Sequence, residues 1–185
     1  MSGASNPRLM TAPPDASLVA AYRAGDERAA AELVRRHTAP LGRFLYGAGA
    51  PAGEVEDLVQ ETFIKAFRAL ESWRGEASFK SWLFRIGANL RRDLYRREGR
   101  REVVGLLESD VADPSDPAGE AEATDAEERL RAGIGDLPRM QREVFLMRAQ
   151  QGLEYDDIAA ALGTSIGAAR VHYHHAVKRL KGLMT

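Results

Sequence analysis

The sequence YDDIAAALGTSIGAARVHYHHAVKRLK, residues 155–181, contains a short and a longer helical segment separated by one glycine. Apolar residues recur at helical spacing in both segments, and Gly163 tolerates the positive φ of a tight turn between them. Ser165 is placed to cap the longer segment, because its hydroxyl can accept a hydrogen bond from a first-turn backbone N–H. The pattern predicts a helix-turn-helix, whose second helix typically lies in the DNA major groove. An ordinary three-helix bundle is the alternative.

The longer segment divides into an inward and an outward face. The stripe expected to pack inward consists of Ala169, Tyr173, Ala176, Val177 and Leu180. The other faces carry Arg170, Val171, His174, His175 and Lys178. An arginine near the start of such a helix can bind guanine bidentately, a valine can contact a thymine methyl, and a later lysine suits phosphates. The outward face therefore predicts contact with duplex DNA.

The histidines are concentrated in this segment, since three of the four lie at His172, His174 and His175. His172 and His175 have the i, i+3 spacing of a metal-binding pair on one helix face. The chain has no cysteine, and no nearby carboxylate completes such a site. We therefore expect DNA contact or simple surface placement, with no metal and no cofactor.

The N-terminal half is also predicted to be helical, because strand signals are nearly absent and apolar residues keep helical spacing. Helices are expected at about residues 15–23, 26–37, 54–70 and 78–97, with Pro40 disturbing the chain after the second. A loop at 71–77 contains Trp73. Trp82 falls on the apolar stripe of the fourth helix and is expected in the core.

Composition excludes several classes of protein. The absence of cysteine excludes disulfides, thiolate metal sites and cysteine nucleophiles. No apolar run approaches the roughly 20 residues that span a membrane, and residues 1–16 lack a signal-peptide pattern, so a cytoplasmic protein is expected. The motifs of deaminases and of phosphate-binding loops are missing, which predicts that the chain is not an enzyme.

Charge is unevenly distributed, although the net charge is only −1. Residues 1–101 carry 17 Lys/Arg and 12 Asp/Glu, residues 102–136 carry 2 and 11, and residues 137–185 carry 7 and 4. Two basic blocks around an acidic segment suggest a polyanionic partner, and a solvated surface with accidental clustering of charge is the alternative. The composition predicts a disordered N-terminus at 1–14, a helical domain at 15–101, an acidic flexible linker at 102–123 and a second helical domain at 124–185.

Several stretches resemble one family. Residues 57–67, DLVQETFIKAF, resemble region 2.2 of bacterial sigma factors. Residues 73–79 and 82–89 are similar to regions 2.3 and 2.4, and residues 137–180 are similar to region 4. Regions 1.1 and 3 of the housekeeping members are missing, so the layout resembles the extracytoplasmic-function (ECF) group. The resemblance covers about residues 15–181 and implies an all-α fold of two small helical domains, a region 2 bundle and a region 4 helix-turn-helix.

The resemblance also implies which residues make each contact of a transcription initiation factor. Core RNA polymerase, through its β′ clamp helices, would be bound by Asp57, Gln60 and Glu61, which share one polar face of a helix. Minus-10 DNA would be bound by Trp73, Arg74, Phe79, Asn89, Arg92 and Arg96, with the arginines between positions 91 and 101 attracting phosphates. Minus-35 DNA would be bound by Ser165, Arg170, Val171, His174, His175 and Lys178. Region 4 would also bind the β flap, and an anti-sigma factor is a further partner in this group.

The recognition helix departs from the usual sequence of the family. Val171 stands where the family usually has serine, and His172 and His175 stand where it usually has arginine. Neutral histidine attracts phosphate less strongly near pH 7, so the minus-35 sequence stays open. A stand-alone DNA-binding regulator with the same helix-turn-helix is the second hypothesis, and an enzyme acting on nucleic acid is the third.

Overall fold

The computed structural model of the chain describes residues 12–104 and 125–183, and the side chains of residues 12–97 and 127–183. Within these ranges the chain is helical and contains no strand, which confirms the predicted all-α class. Most of the predicted disordered N-terminus and of the predicted acidic linker lies outside the described residues. The helices are α1 Asp15–Arg23, α2 Glu27–Gly47, α3 Val55–Arg68, α4 Phe79–Val104, α5 Asp125–Gly135, α6 Arg139–Phe145, α7 Tyr155–Leu162 and α8 Ile166–Leu183.

Helix α2 continues through Pro40, so the prediction that it ends near His37 is wrong. A proline inside a helix costs about 3 kcal/mol, because it removes a hydrogen bond and crowds the preceding turn. The turns beyond Pro40 bury Leu41, Phe44 and Leu45 completely. Burial of a large apolar side chain contributes about 1.5–3 kcal/mol. Three such side chains outweigh the cost of the proline, and the helix is retained.

Helix α4 packs closely against α2 and α3 at Gly87. A methyl group built at this position would lie 3.0 Å from the Leu41 side chain and 3.4 Å from the Thr62 hydroxyl. A larger side chain would require these neighbours to shift, so glycine favours the close approach of the three helices at this crossing. The α4 backbone continues to Val104, beyond the predicted end at Arg97, so the first residues assigned to the linker are helical.

The C-terminal unit, α5–α8, contains the predicted helix-turn-helix in α7 and α8. Gly163 ends α7 with φ 67°, the left-handed conformation expected of a glycine turn. The Ser165 hydroxyl accepts a hydrogen bond from the Ala168 N–H at 3.1 Å and caps α8 as predicted. Of the inward stripe, Ala169, Ala176 and Leu180 are buried, whereas Tyr173 and Val177 are half-buried.

The N-terminal unit, α1–α4, packs directly against the C-terminal unit. Helix α4 lies against α7, and the buried Arg91 side chain forms an ion pair with the buried Glu143 carboxylate. The Lys80 ammonium group donates to the Gln151 carbonyl at 2.6 Å, and burial lowers the pKa of this lysine. The two units therefore share one continuous apolar core.

Candidate nucleic-acid and polymerase interface

A surface pocket of about 320 Å³ lies where the loop after α3 meets the start of α4. Two tryptophans and two arginines contribute to it, so it combines aromatic surface with positive charge. Its lining consists of Ser72, Trp73, Arg74, Glu76, Ala77, Trp82 and Arg85. Aromatic rings stack on bases and guanidinium groups attract phosphates. The pocket therefore offers surfaces for stacking and for ionic contact side by side.

Arg23 of α1 holds this loop in place. Its Nη2 donates to the Trp73 carbonyl at 2.7 Å and also to the Leu70 carbonyl, and its guanidinium lies 5.9 Å from the centre of the Trp73 ring. This role of Arg23 is not predictable from the sequence, because no local pattern relates an arginine at the end of α1 to a loop about 50 residues away. The contacts fix one wall of the pocket.

Phe79 does not line the pocket, and its predicted contact with DNA is corrected. Its side chain is only 2% exposed, and its ring lies 6.2 Å from that of Trp73 and 6.0 Å from that of Trp82. A base cannot reach a ring covered in this way. Trp82 is half-buried against the core, as its stripe position predicts, but its remaining surface faces the pocket.

The exposed side of α4 continues from the pocket as a polar, cationic surface. Arg92 donates to the Asn89 side-chain oxygen, and Arg96 forms an ion pair with Asp93, which lowers the pKa of that carboxyl. Asn89 and Arg96 are exposed, and Arg92 is half-buried. Arg91 is 3% exposed and engaged with Glu143, so its predicted attraction for phosphates is corrected.

The polar residues predicted on α3 form one exposed face. Asp57, Gln60 and Glu61 are all exposed, and Glu61 makes an ion pair with Lys65 at 3.1 Å. The same face includes Ile64, whose side chain is 49% exposed. The opposite face buries Leu58, Val59, Thr62, Phe63 and Ala66. We call the exposed residues Asp57, Gln60, Glu61, Ile64 and Lys65 the α3 face.

The predicted minus-35 residues lie along the outer side of α8. Exposed positions there are Ser165, Arg170, Val171, His174, His175 and Lys178. Val171 is 52% exposed. The His174 and His175 ring centres are 6.0 Å apart. Among the described residues, no group of three or more His, Asp or Glu side chains is placed to hold a metal ion.

Comparison with known proteins supports the same division of the chain. Residues 33–101 match the Sigma-70 region 2 family model, and residues 127–180 match the Sigma-70 region 4 model. The RNA polymerase sigma factor CnrH of Cupriavidus metallidurans is 34% identical over 183 residues, which cover 93% of this chain and 96% of CnrH. The chain belongs to the ECF sigma factors. It is therefore a transcription initiation factor.

Other relatives of this sigma factor agree with that assignment. The ECF sigma-E factor of Escherichia coli is 32% identical over 166 residues, covering 84% of this chain and 86% of the relative. Two solved structures have a TM-score of 0.68. One is CnrH in complex with the cytosolic domain of CnrY, at 32% identity over 92% of this chain and 96% of the other. The second is RpoE of Bartonella quintana with the anti-sigma factor NepR, at 26% identity over 83% and 94%.

In the described ranges, no helix is both long enough and apolar enough to cross a bilayer.

Proposed function

We propose that this sigma factor binds core RNA polymerase through the α3 face, opens minus-10 DNA at the pocket beside Trp73, and reads minus-35 DNA with α8, without catalysing a reaction itself. The main support is the pocket, because it places aromatic rings and exposed arginines together at the end of the helix that carries the α3 face. One rigid unit can thus connect polymerase binding to strand opening.

Capture of an unpaired base at the pocket is energetically reasonable. Extracting a base from duplex DNA costs a few kcal/mol, and stacking on an aromatic side chain returns about 1–3 kcal/mol. The free energies of base extraction and of stacking are similar in size, so a disordered pocket would make strand opening unfavourable. The hydrogen bonds from Arg23 to the loop reduce that disorder in advance. The exposed arginines of α4 add phosphate attraction that is independent of sequence.

Docking on the polymerase is assigned to the α3 face by its chemistry. Charged and amide groups at i, i+3 and i+4 form a compact patch, and the exposed Ile64 gives that patch an apolar contact. An interface of this kind obtains its orientation and association rate mainly from charge complementarity. A cationic or mixed-charge helical surface on the polymerase is the expected partner.

Three partners follow from family membership. The β flap of the polymerase is expected to contact the C-terminal unit, and promoter duplex is expected to contact α8. One similar solved structure is a sigma factor bound to an anti-sigma factor, so an anti-sigma factor is proposed for this chain too.

A stand-alone DNA-binding regulator is the second candidate, because α7 and α8 form a helix-turn-helix. The two candidates differ in what the purified chain does with core polymerase. The experiment mixes the full chain with core RNA polymerase and measures transcription from a promoter library. We expect holoenzyme formation and initiation at one promoter class. Tight, specific duplex binding by the chain alone, without any polymerase binding, would support the regulator.

A further inference from the structure

Three aromatic rings of the C-terminal unit form a continuous cluster beneath the start of α8. The rings of Phe145 and Tyr173 are stacked with centres 6.1 Å apart, and Tyr155 meets Tyr173 edge-on at 6.1 Å. Tyr155 is the first residue of α7 and is half-buried. Part of its ring therefore faces the surface beside the recognition helix.

Two arginines lie over this one ring. The guanidinium carbon of Arg148 is 5.0 Å from the centre of the Tyr155 ring, and that of Arg170 is 5.6 Å from it. Distances below about 6 Å are those of cation–π interactions. Tyr155 is the one aromatic residue in the described part of the chain for which two such contacts are recorded.

The two arginines differ in their other contacts. Arg148 is anchored, because its Nη1 donates to the Leu153 carbonyl at 2.9 Å and forms an ion pair with Glu154 at 2.9 Å. Arg170 is exposed and makes no hydrogen bond or ion pair with any residue that the structure describes. The Tyr155 ring is thus the polar or aromatic group in the described structure that the Arg170 guanidinium contacts.

We propose that Tyr155 is a positioning residue for minus-35 readout, because its ring holds the Arg170 guanidinium ready to bind a base edge. This inference rests on the proposed function of α8 as the minus-35 reader. Helix α7 would then contribute to discrimination between promoter sequences, in addition to packing against α8.

The geometry suits this task for two physical reasons. A guanidinium held by a ring through a cation–π contact makes no hydrogen bond in that contact, so its N–H donors stay available for bidentate binding to guanine. A free arginine side chain also loses considerable rotamer entropy when it binds. Restraint by the ring before DNA arrives removes part of that cost. The benefit is therefore expected in base discrimination and not in general phosphate attraction.

The test uses holoenzyme made with the full-length chain and promoters that carry single-base changes in the minus-35 element. Tyr155→Leu removes the ring, Tyr155→Phe keeps it, and Phe145→Leu is the matched control within the same aromatic cluster. A cation–π contact at an exposed site is worth about 0.5–1 kcal/mol, which corresponds to about a two- to fivefold change. We expect Tyr155→Leu to lose about that much discrimination, whereas Tyr155→Phe and Phe145→Leu retain it. Circular dichroism verifies that each variant is folded.

A double-mutant cycle with Arg170→Ala keeps the inference testable even if Tyr155→Leu is less stable. In the Arg170→Ala background, Tyr155→Leu should cause no further loss of discrimination. Equal losses in Phe145→Leu and Tyr155→Leu would indicate packing alone and overturn the inference, as would unchanged discrimination in Tyr155→Leu. These results can be distinguished from failure of the proposed function. In that case the wild-type chain directs no initiation at all, and both proposals are wrong.

Discussion

The guanidinium of Arg91 in α4 and the carboxylate of Glu143 in α6 form an ion pair that joins the two helical units. The side chains are only 4% and 1% exposed, and Arg91 also donates to the Ala48 carbonyl at 2.7 Å. A buried ion pair adds little stability compared with an apolar pair of the same size, but loss of one partner leaves a buried charge unpaired. The contact between the units is therefore sensitive to a change at either residue.

Removal of one partner should separate the units. For Glu143→Leu alone we expect about 3–5 kcal/mol of destabilisation or release of the interface, seen as an increase in the radius of gyration by small-angle X-ray scattering. The double variant Arg91→Met, Glu143→Leu should recover compactness. Asp93→Asn, which breaks an exposed ion pair on the same helix, is the control and should change nothing. A compact Glu143→Leu chain of normal stability would contradict the prediction.

Simultaneous binding to both promoter elements requires the units to separate. The names minus-10 and minus-35 give the positions of the two elements, which are about 25 base pairs apart. B-DNA rises about 3.4 Å per base pair, so the elements lie about 85 Å apart along the helix axis. The units contact each other here, with the Ser78 hydroxyl 3.4 Å from an Asp157 carboxylate oxygen. A compact chain of 185 residues has a radius of gyration of about 16 Å, so the compact arrangement is too small to span that distance.

A reversible cross-link tests this requirement. The chain has no cysteine, so Ser78→Cys and Asp157→Cys can be joined by a short thiol-specific, cleavable cross-linker without competing thiols. We expect the cross-linked chain to lose initiation at promoters that need both elements, and cleavage of the linker to restore it. Each single-cysteine variant, treated identically, controls for modification at either site. Full activity of the cross-linked chain would show that separation is unnecessary.

The helix-turn-helix was predictable from sequence because its signals are local. Gly163 and Ser165 determine their own turn and cap, and the stripe through Ala169 and Ala176 follows from helical periodicity. The α3 face was predictable for the same reason, since residues at i, i+3 and i+4 must share a side of any helix.

The contacts between distant segments could not be predicted in this way. In the sequence, Arg91 belongs to a basic run, which is typical of a solvent-exposed surface. Its partner Glu143 is distant in the sequence and approaches Arg91 only in the folded chain. Arg23 contacts the Trp73 loop for a similar reason. Phe79 looked accessible because it borders the loop, yet packing against Trp73 and Trp82 buries it. Helix α2 passes Pro40 because tertiary burial outweighs a local penalty.

The pH dependence of stability should depend on Asp15. Its hydrogen bond with His37, 2.7 Å long, and its contact with Arg36 hold the pKa of the Asp15 carboxyl below its usual value. A carboxyl with a depressed folded-state pKa stabilises the fold above its unfolded pKa, and this contribution is lost as the pH falls through the folded-state pKa.

Urea unfolding at pH 7 and at pH 3 measures this contribution. We expect Asp15→Asn to lower the free energy of unfolding at pH 7 and to reduce the loss of stability between the two pH values. Glu71→Gln, at an exposed carboxyl, is the control and should keep the wild-type pH dependence. An Asp15→Asn chain with the full wild-type pH dependence would show that other carboxyls are responsible.

Reversal of charge on the α3 face should weaken polymerase binding without unfolding the chain. Glu61 is exposed, and its ion pair in the described structure is with Lys65. Glu61→Lys turns this attraction into repulsion between two lysines, which lowers the stability of the chain by about 0.5 kcal/mol. At the interface, juxtaposed like charges cost several kcal/mol, which corresponds to about a hundredfold or greater increase in the dissociation constant for core polymerase. Glu71→Lys makes the same change outside the α3 face and should bind normally. Binding measured without DNA separates docking from promoter contact, and wild-type affinity in Glu61→Lys would remove the α3 face as the docking surface.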